Sequence, residues 1–301
     1  MKRIKVLCLE GGGIFGKIIT RFLSFLPADY QNLKDISVTG GCSIGGILAC
    51  AYAAGQPFGL VDEVFSKRAS ECFTKRFAAK INPCAVPTYR TDTIDKVLSD
   101  MIGEATLGDV CNIYPQLKLI VPALDITNDK YIVFTNMTHD YDDVKLKDIA
   151  GFTSAAPSYF AGRPFRDTCL IDGGLIDVSN ALTMVTAIKK ELGIPFCKVD
   201  LLLLGAGQDV DSEDEKLTLR RYNDLGLIGI ARKLLVPYAT FSNKLATKAF
   251  CEGLGLHYFN YYNPLVVSGG LDDVDQIPQL EKAADPLRED FLHVWDEWMN
   301  A

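Results

Sequence analysis

The stretch Gly40-Gly41-Cys42-Ser43-Ile44-Gly45-Gly46 restricts this chain more than any other. A β-branched run, Ile36-Ser37-Val38-Thr39, precedes it. A small apolar run, Ile47-Leu48-Ala49-Cys50-Ala51-Tyr52-Ala53-Ala54, follows it and stops at Gly55. The pattern reads strand, sharp turn, helix. A strand can enter a helix that abruptly only where missing side chains let backbone pack on backbone, and the glycines around Ser43 meet that condition. Gly41-x-Ser43-x-Gly45 has the form of a nucleophile elbow, which pushes its central side chain out of the bend at a helix N-terminus. A plain serine N-cap after a Gly-rich turn fits the same residues, and the pentapeptide alone does not choose between them.

A second Gly-rich turn lies upstream. Ile4 to Leu9 reads as a buried strand, followed by Glu10-Gly11-Gly12-Gly13-Ile14-Phe15-Gly16. Ile18, Ile19, Phe22, Leu23 and Leu26 then recur at helical spacing up to Pro27. Strand, helix and the strand at 36–39 make a β-α-β unit, so the two strands run parallel through a right-handed crossover. Their C-terminal ends share one edge of the sheet, and both Gly-rich turns face the same crevice. Gly11-x-Gly13-x-x-Gly16 also matches a dinucleotide fingerprint, but that fingerprint needs an acid past the second strand, and Asp35 comes before it. The other chemical use of such a loop is a row of unobstructed N–H groups that cradle an oxyanion. A tight packing turn is the remaining reading.

Downstream, residues 57–74 and 92–101 read as helices, with a loop around Pro83 and Pro87 between them. Residues 117–123 and 131–135 form two apolar runs around Asn128-Asp129-Lys130, the pattern of a hairpin. Thr153-Ser154-Ala155-Ala156-Pro157 ends a short helix. Thr168 to Ile171 reads as a strand running into Asp172-Gly173-Gly174, where a turn aspartate bonding its own backbone explains the carboxylate equally well. A helix is expected over 180–192, an apolar strand over 199–204 before Gly205-Ala206-Gly207, long helices over 215–255, and a terminal helix over 272–299 containing Trp295 and Trp298. No repeat or linker interrupts the 301 residues, which predicts a single domain, 1–301.

Composition removes several function classes. A net charge of −7 without any basic block argues against nucleic acid as a partner. The nine cysteines are scattered, with no C-x-x-C pair and no metal-ligand spacing, so no metal or other cofactor is expected and a reducing, cytoplasmic setting is. The apolar part of the N-terminus is too short for a signal peptide and runs into Glu10. No run reaches the roughly 18 apolar residues of a membrane span, so membrane contact is expected to be peripheral.

Four blocks occur in a fixed order: Gly11-x-Gly13-x-x-Gly16, Gly41-Cys42-Ser43-Ile44-Gly45, Ser154-Ala155-Ala156-Pro157 and Asp172-Gly173-Gly174. This order resembles the patatin-like phospholipase family. The resemblance covers residues 4–185 as a catalytic core and leaves 186–301 as a further strand and a mostly helical remainder of the same domain. It implies a three-layer α/β/α sandwich around a mostly parallel sheet. It implies a lipid acyl hydrolase of phospholipase A type, with Ser43 as nucleophile, Asp172 as base and the N–H groups of Gly11, Gly12 and Gly13 as oxyanion hole. The substrate would be a phospholipid or related lipid. The chain departs from the family pattern in two places. Phe15 stands where many members carry Arg or Lys, and Ser179-Asn180-Ala181 lacks the proline of the usual Asn-Pro pair. Two other classes stay open at this level: a Ser-His-Asp esterase of α/β-hydrolase type, for which His257 and His293 follow Asp172 in the required order, and a nucleotide-binding or regulatory module using the Gly-rich loop.

Overall fold

The computed structural model describes residues 2–81, 86–210, 246–261, 265–267 and 270–301. At its centre lies β1 (Ile4–Leu9), apolar along most of its length because helices cover both of its faces. β1 pairs in parallel with β2 (Val38–Gly41) on one side and β7 (Val199–Leu204) on the other. β3 (Lys118–Asp125) extends the parallel sheet beyond β2, and β9 (His257–Tyr261) extends it beyond β7. Two strands run against this direction, β4 (Lys130–Thr135) and β6 (Thr168–Asp172), while β5 (Arg163–Phe165), antiparallel to β6, runs with it. The order is β5-β6-β3-β2-β1-β7-β9, with β4 paired to β3. β8 (Gln208–Val210) and β10 (Leu265–Val267) form a separate parallel pair.

Alternate side chains of each strand serve opposite faces. Leu7, Leu9, Leu202 and Leu204 join a core with the helices of one face: α1 (Gly16–Ser24), α2 (Ile44–Ala53), α3 (Phe58–Cys72), and others. The short α4 (Phe77–Ile81), α5 (Thr91–Ile102), α6 (Val110–Ile113) and α7 (Leu146–Thr153) follow in the chain. Val6, Cys8, Leu201 and Leu203 meet Ala181, Met184, Val185 and Ile188 of α8 (Ala181–Leu192) on the other face. Sheet between two helical layers is the α/β/α arrangement.

α2 is apolar all round, as a helix must be when it is walled in on every side. α1 carries two polar residues, Lys17 and Thr20, within its buried face. Lys17 is fully buried, and its ammonium pairs with Asp62 of α3 and, at 3.0 Å, with Glu281.

Two expectations change. The strand expected at 36–39 lies at 38–41, so Gly40 and Gly41 belong to the sheet and not to the turn. They pair with Cys8 and Leu9, and a Cβ on Gly40 would stand 2.2 Å from the Ile120 carbonyl oxygen. The single terminal helix is two helices, α9 (Ile277–Ala284) and α10 (Arg288–Asn300). A turn over Asp285–Leu287 divides them, where Pro286 supplies no N–H to continue the first. Of the long helices expected over 215–255, residues 211–245 lie outside the described residues, as do 82–85 of the loop around Pro83.

Candidate active site

Ser43 sits at the junction of β2 and α2 with φ 53° and ψ −126°, a backbone conformation that a residue with a side chain adopts only when its surroundings enforce it. The enforcement comes from glycine. A Cβ on Gly45 would lie 2.0 Å from the Leu9 carbonyl oxygen, and one on Gly41 would lie 2.3 Å from the Gly45 backbone. The helix start is thus pressed directly onto the strand ends. The Ser43 N–H donates to the Thr153 hydroxyl at 3.1 Å, and the Ser43 carbonyl accepts the first helical bond from Ile47. Ser43 holds the N-cap position of α2 but its side chain makes no capping bond, so the turn has the form of a nucleophile elbow rather than of a serine cap.

Register explains how Asp172, far along the chain, reaches this serine. β2 pairs with β3 up to Gly40–Ile120, whereas β6, running the opposite way, ends its pairing with β3 at Asp172–Ala123. β4 occupies the other edge of β3 over the same residues, so β2 and β6 share one edge and approach each other end to end. Two residues of β3, Val121 and Pro122, lie between the two pairings, so the paired positions stand about 10 Å apart along the strand, and the elbow fills that gap. The acid therefore arrives head-on from an antiparallel strand, not alongside Ser43 from a parallel one.

The Asp172 carboxylate lies near the Ser43 hydroxyl, whose pull favours its ionised form. Its Oδ1 also accepts the Gly174 N–H at 2.8 Å and the Cys42 thiol at 3.4 Å. It is 5% exposed. Burial pushes its pKa up to about 6, against the opposing pull of the Gly174 N–H, the Ser43 hydroxyl and the Cys42 thiol. Burial, reinforced by Asp172 itself, pushes the Cys42 thiol well above its ordinary value, so it remains a donor.

The Gly-rich loop lies on the other side of Ser43. A Cβ on Gly11 would stand 3.3 Å from the Ser43 Cβ, so glycine is what allows the approach. The Gly11 N–H is spent on the Val178 carbonyl at 3.0 Å, and the Ile14 N–H on the Leu271 carbonyl at 2.8 Å. Among the described residues no partner takes the N–H of Gly12 or Gly13. Two donors are available there rather than the expected three. Phe15 is buried in the core, and neighbouring Lys17 turns away to its carboxylates, so neither replaces the family's basic residue.

The Ser154-Ala155-Ala156-Pro157 block has a structural use that its sequence did not disclose. The Asp172 N–H donates to the Ala155 carbonyl at 3.1 Å, which anchors the backbone of the acid, while Thr153 just before the block holds Ser43. Thr153 and Cys42 were not among the residues expected to matter. The only sequence signal for them is adjacency to the recognised blocks. Asn180, in the place of the Asn-Pro pair, adopts φ 60° and donates its side-chain amide to the Ile120 carbonyl at 3.0 Å, bracing β3 beside Gly40. Gly16 packs against Ile44, Gly173 against Pro122, and Gly174 against the Asp172 carboxylate.

From Ser43 an apolar pocket runs between α3 and α5, lined by Ile47, Phe65, Ala69, Val97, Leu98 and Met101 among others. The three histidines stay away from it. His139 pairs with Asp142, His293 with Glu297, and His257 with Asp200 at the N-terminal end of β7, the opposite edge of the sheet from Ser43. Asp35 is exposed before β2, also at that far edge, which removes the dinucleotide reading. Among the described residues, no three His, Cys, Asp or Glu side chains gather to hold a metal ion, and no helix is long and apolar enough to cross a membrane.

A family model described as patatin-like phospholipase matches residues 7–185. A cGAMP-activated phospholipase of Escherichia coli (strain TW11681) is 27% identical over 281 residues, covering 85% of this chain and 77% of its own. A cGAMP-activated phospholipase of Vibrio cholerae serotype O1 is 24% identical over 272 residues, covering 81% of this chain and 75% of its own. Among solved structures, VipD from Legionella pneumophila aligns over 94% of this chain and 67% of its own, at 12% identity and a TM-score of 0.42.

Proposed function

The chain belongs to the patatin-like phospholipase family of lipid acyl hydrolases, and on that premise we propose that Ser43 and Asp172 are its catalytic dyad. Asp172 takes the Ser43 proton as Oγ attacks the ester carbonyl. A carboxylate raised to about 6 is a stronger base than an exposed one and is still ionised at neutral pH. The N–H groups of Gly12 and Gly13 receive the developing oxyanion; each such donor is typically worth about 3 kcal/mol in the transition state. The protonated Asp172 then returns the proton to the leaving alcohol, and an acyl ester remains on Ser43. Water attacks that ester with Asp172 again as base, releasing the fatty acid. The acyl chain occupies the apolar pocket between α3 and α5.

The observation that carries this reading is the Ser43 hydroxyl, held at a strained strand-to-helix turn on an apolar pocket, beside the buried carboxylate of Asp172. The substrate we propose is a phospholipid or related lipid ester, reached by peripheral contact with a membrane, with 1–301 acting as one domain. Labelling with a serine-directed phosphonate tests the nucleophile, and Ser43→Ala should abolish the label. A label that survives this substitution removes Ser43 from the mechanism. Both bacterial relatives are named for activation by cGAMP, and the same activation is proposed here. Fatty-acid release from a lipid extract, measured by mass spectrometry with and without cGAMP, should rise with the nucleotide. Equal release would discard the activation and leave the hydrolase.

A further inference from the structure

Residues 173–178 bridge the two halves of the site. At one end the Gly174 N–H is fixed to the Asp172 carboxylate at 2.8 Å. At the other the Val178 carbonyl takes the Gly11 N–H at 3.0 Å. Between them the Ile176 and Asp177 N–H groups both donate to the Gly173 carbonyl, at 3.0 and 3.2 Å. The Asp177 carboxylate is turned inward, where it accepts from Ser179 and Thr183. The bridge is therefore tightly bonded, and what it turns outward is apolar: Leu175 is 53% exposed and Ile176 55%. Leu271 is 36% exposed, sits over Gly13 and lines the same pocket as Ser43. Exposed apolar side chains thus stand on the bridge between Asp172 and Gly11, and at Leu271 on the pocket lining.

Resting on the lipid hydrolase reading, we propose that Leu175 and Ile176, with Leu271, dock the pocket mouth onto the surface of a zwitterionic lipid bilayer. An ester carbonyl lies just below the headgroups, and the acyl chain behind it must travel from bilayer to pocket. Apolar side chains seated at the interface beside the dyad and the pocket shield that path from water. Charge selects the lipid. Segments 173–180 and 270–276 contain no Lys or Arg, Leu271 is followed by Asp272, Asp273 and Asp275, and the chain carries a net −7. An anionic headgroup layer would repel such a rim, whereas a zwitterionic one leaves apolar insertion unopposed.

The test compares the intact chain with Leu175→Ser/Ile176→Ser on two substrates. Binding is read by co-sedimentation with phosphatidylcholine vesicles, in a Ser43→Ala background so that the lipid stays intact. Removing both apolar side chains should lower vesicle binding, and hydrolysis of vesicular phosphatidylcholine, by about tenfold. Hydrolysis of dissolved p-nitrophenyl butyrate should change less than about twofold, since the dyad is untouched. Unchanged vesicle binding overturns the proposal. So does equal loss on both substrates, because the two side chains would then act on Asp172 rather than on the membrane. Binding that strengthens when phosphatidylglycerol replaces phosphatidylcholine also overturns it. A parent chain inert towards the dissolved ester contradicts the hydrolase reading instead, and leaves the co-sedimentation result to be judged separately. Leu175→Trp gives an independent reading. Brominated phosphatidylcholine should quench the new fluorescence, and quenching no greater than that of buried Trp295 and Trp298 overturns the proposal.

Discussion

Replacing Asp172 by asparagine should make this protein inactive and more stable at once, and the size of the gain should depend on pH in a defined way. The carboxylate has an ordinary pKa of 3.8 and is raised to about 6 in the folded chain. A raised folded-state pKa means that the folded chain holds the proton more tightly than the unfolded one. The stability linked to that proton is complete below pH 3.8 and is lost as pH rises through 6. A shift of about two pH units corresponds to roughly 3 kcal/mol. The group is 5% exposed, so solvent screens little of this. Asparagine keeps an oxygen for the Gly174 N–H and removes the buried charge, while its amide can donate to the Ser43 hydroxyl. The variant should therefore gain about 1–3 kcal/mol at pH 8 and nearly nothing at pH 4. For a chain of this size that is a rise in Tm of about 2–6 °C. Calorimetry of both proteins from pH 4 to pH 8 measures the difference, and ester hydrolysis in the same buffers should fall by about 100-fold or more. A variant less stable than the parent at pH 8, or a difference that ignores pH, would refute the idea that folding is opposed by this buried charge. Near-normal turnover would place the base elsewhere.

The unmodified enzyme should lose kcat/KM as pH falls through about 6, where Asp172 takes up a proton. Cys42→Ala removes a donor that lowers this pKa, so the acid limb should move to higher pH; Cys42→Ser should restore it, and an unmoved limb in Cys42→Ala would exclude the thiol from tuning the base. Gly13→Ala places a Cβ 2.3 Å from the Leu271 carbonyl at φ 56° and should cut kcat by about 100-fold while an unchanged CD spectrum reports an intact fold. Lys17→Met strands Asp62 in the core and should cost about 3–5 kcal/mol in urea unfolding, with part of the loss recovered when Asp62→Leu is added. Ala69→Phe fills the pocket between α3 and α5 and should shift preference toward shorter acyl esters, read as kcat/KM across a chain-length series.

Family membership and the hydrolytic class were legible in the order of four short blocks, and the strands and helices around them fell close to their expected places. Local rules sufficed there. Side-chain periodicity marks strand or helix from a few neighbouring residues, and a glycine cluster marks where backbone must touch backbone. The sequence by itself fixed Ser43 at a strained strand-to-helix turn and a carboxylate followed by glycines at 172. The break at Pro286 was missed, because the helical pattern on either side of the proline concealed it and one helix was expected over 272–299. Whether Ser43 and Asp172 meet was decided only by the tertiary structure. The meeting depends on β2 and β6 sharing one edge of β3 from opposite directions, through pairings such as Gly40–Ile120 and Ala123–Asp172 between residues far apart along the chain. The same non-local packing brought the Thr153 hydroxyl to the Ser43 N–H and the Cys42 thiol to the Asp172 carboxylate. It spent the Gly11 N–H on Val178 and sent Lys17 to Asp62 instead of toward the loop. A hydrogen bond is formed by whichever donor and acceptor the fold brings within reach, and that proximity is a property of strand pairing, on which the spacing of residues along the chain places almost no constraint.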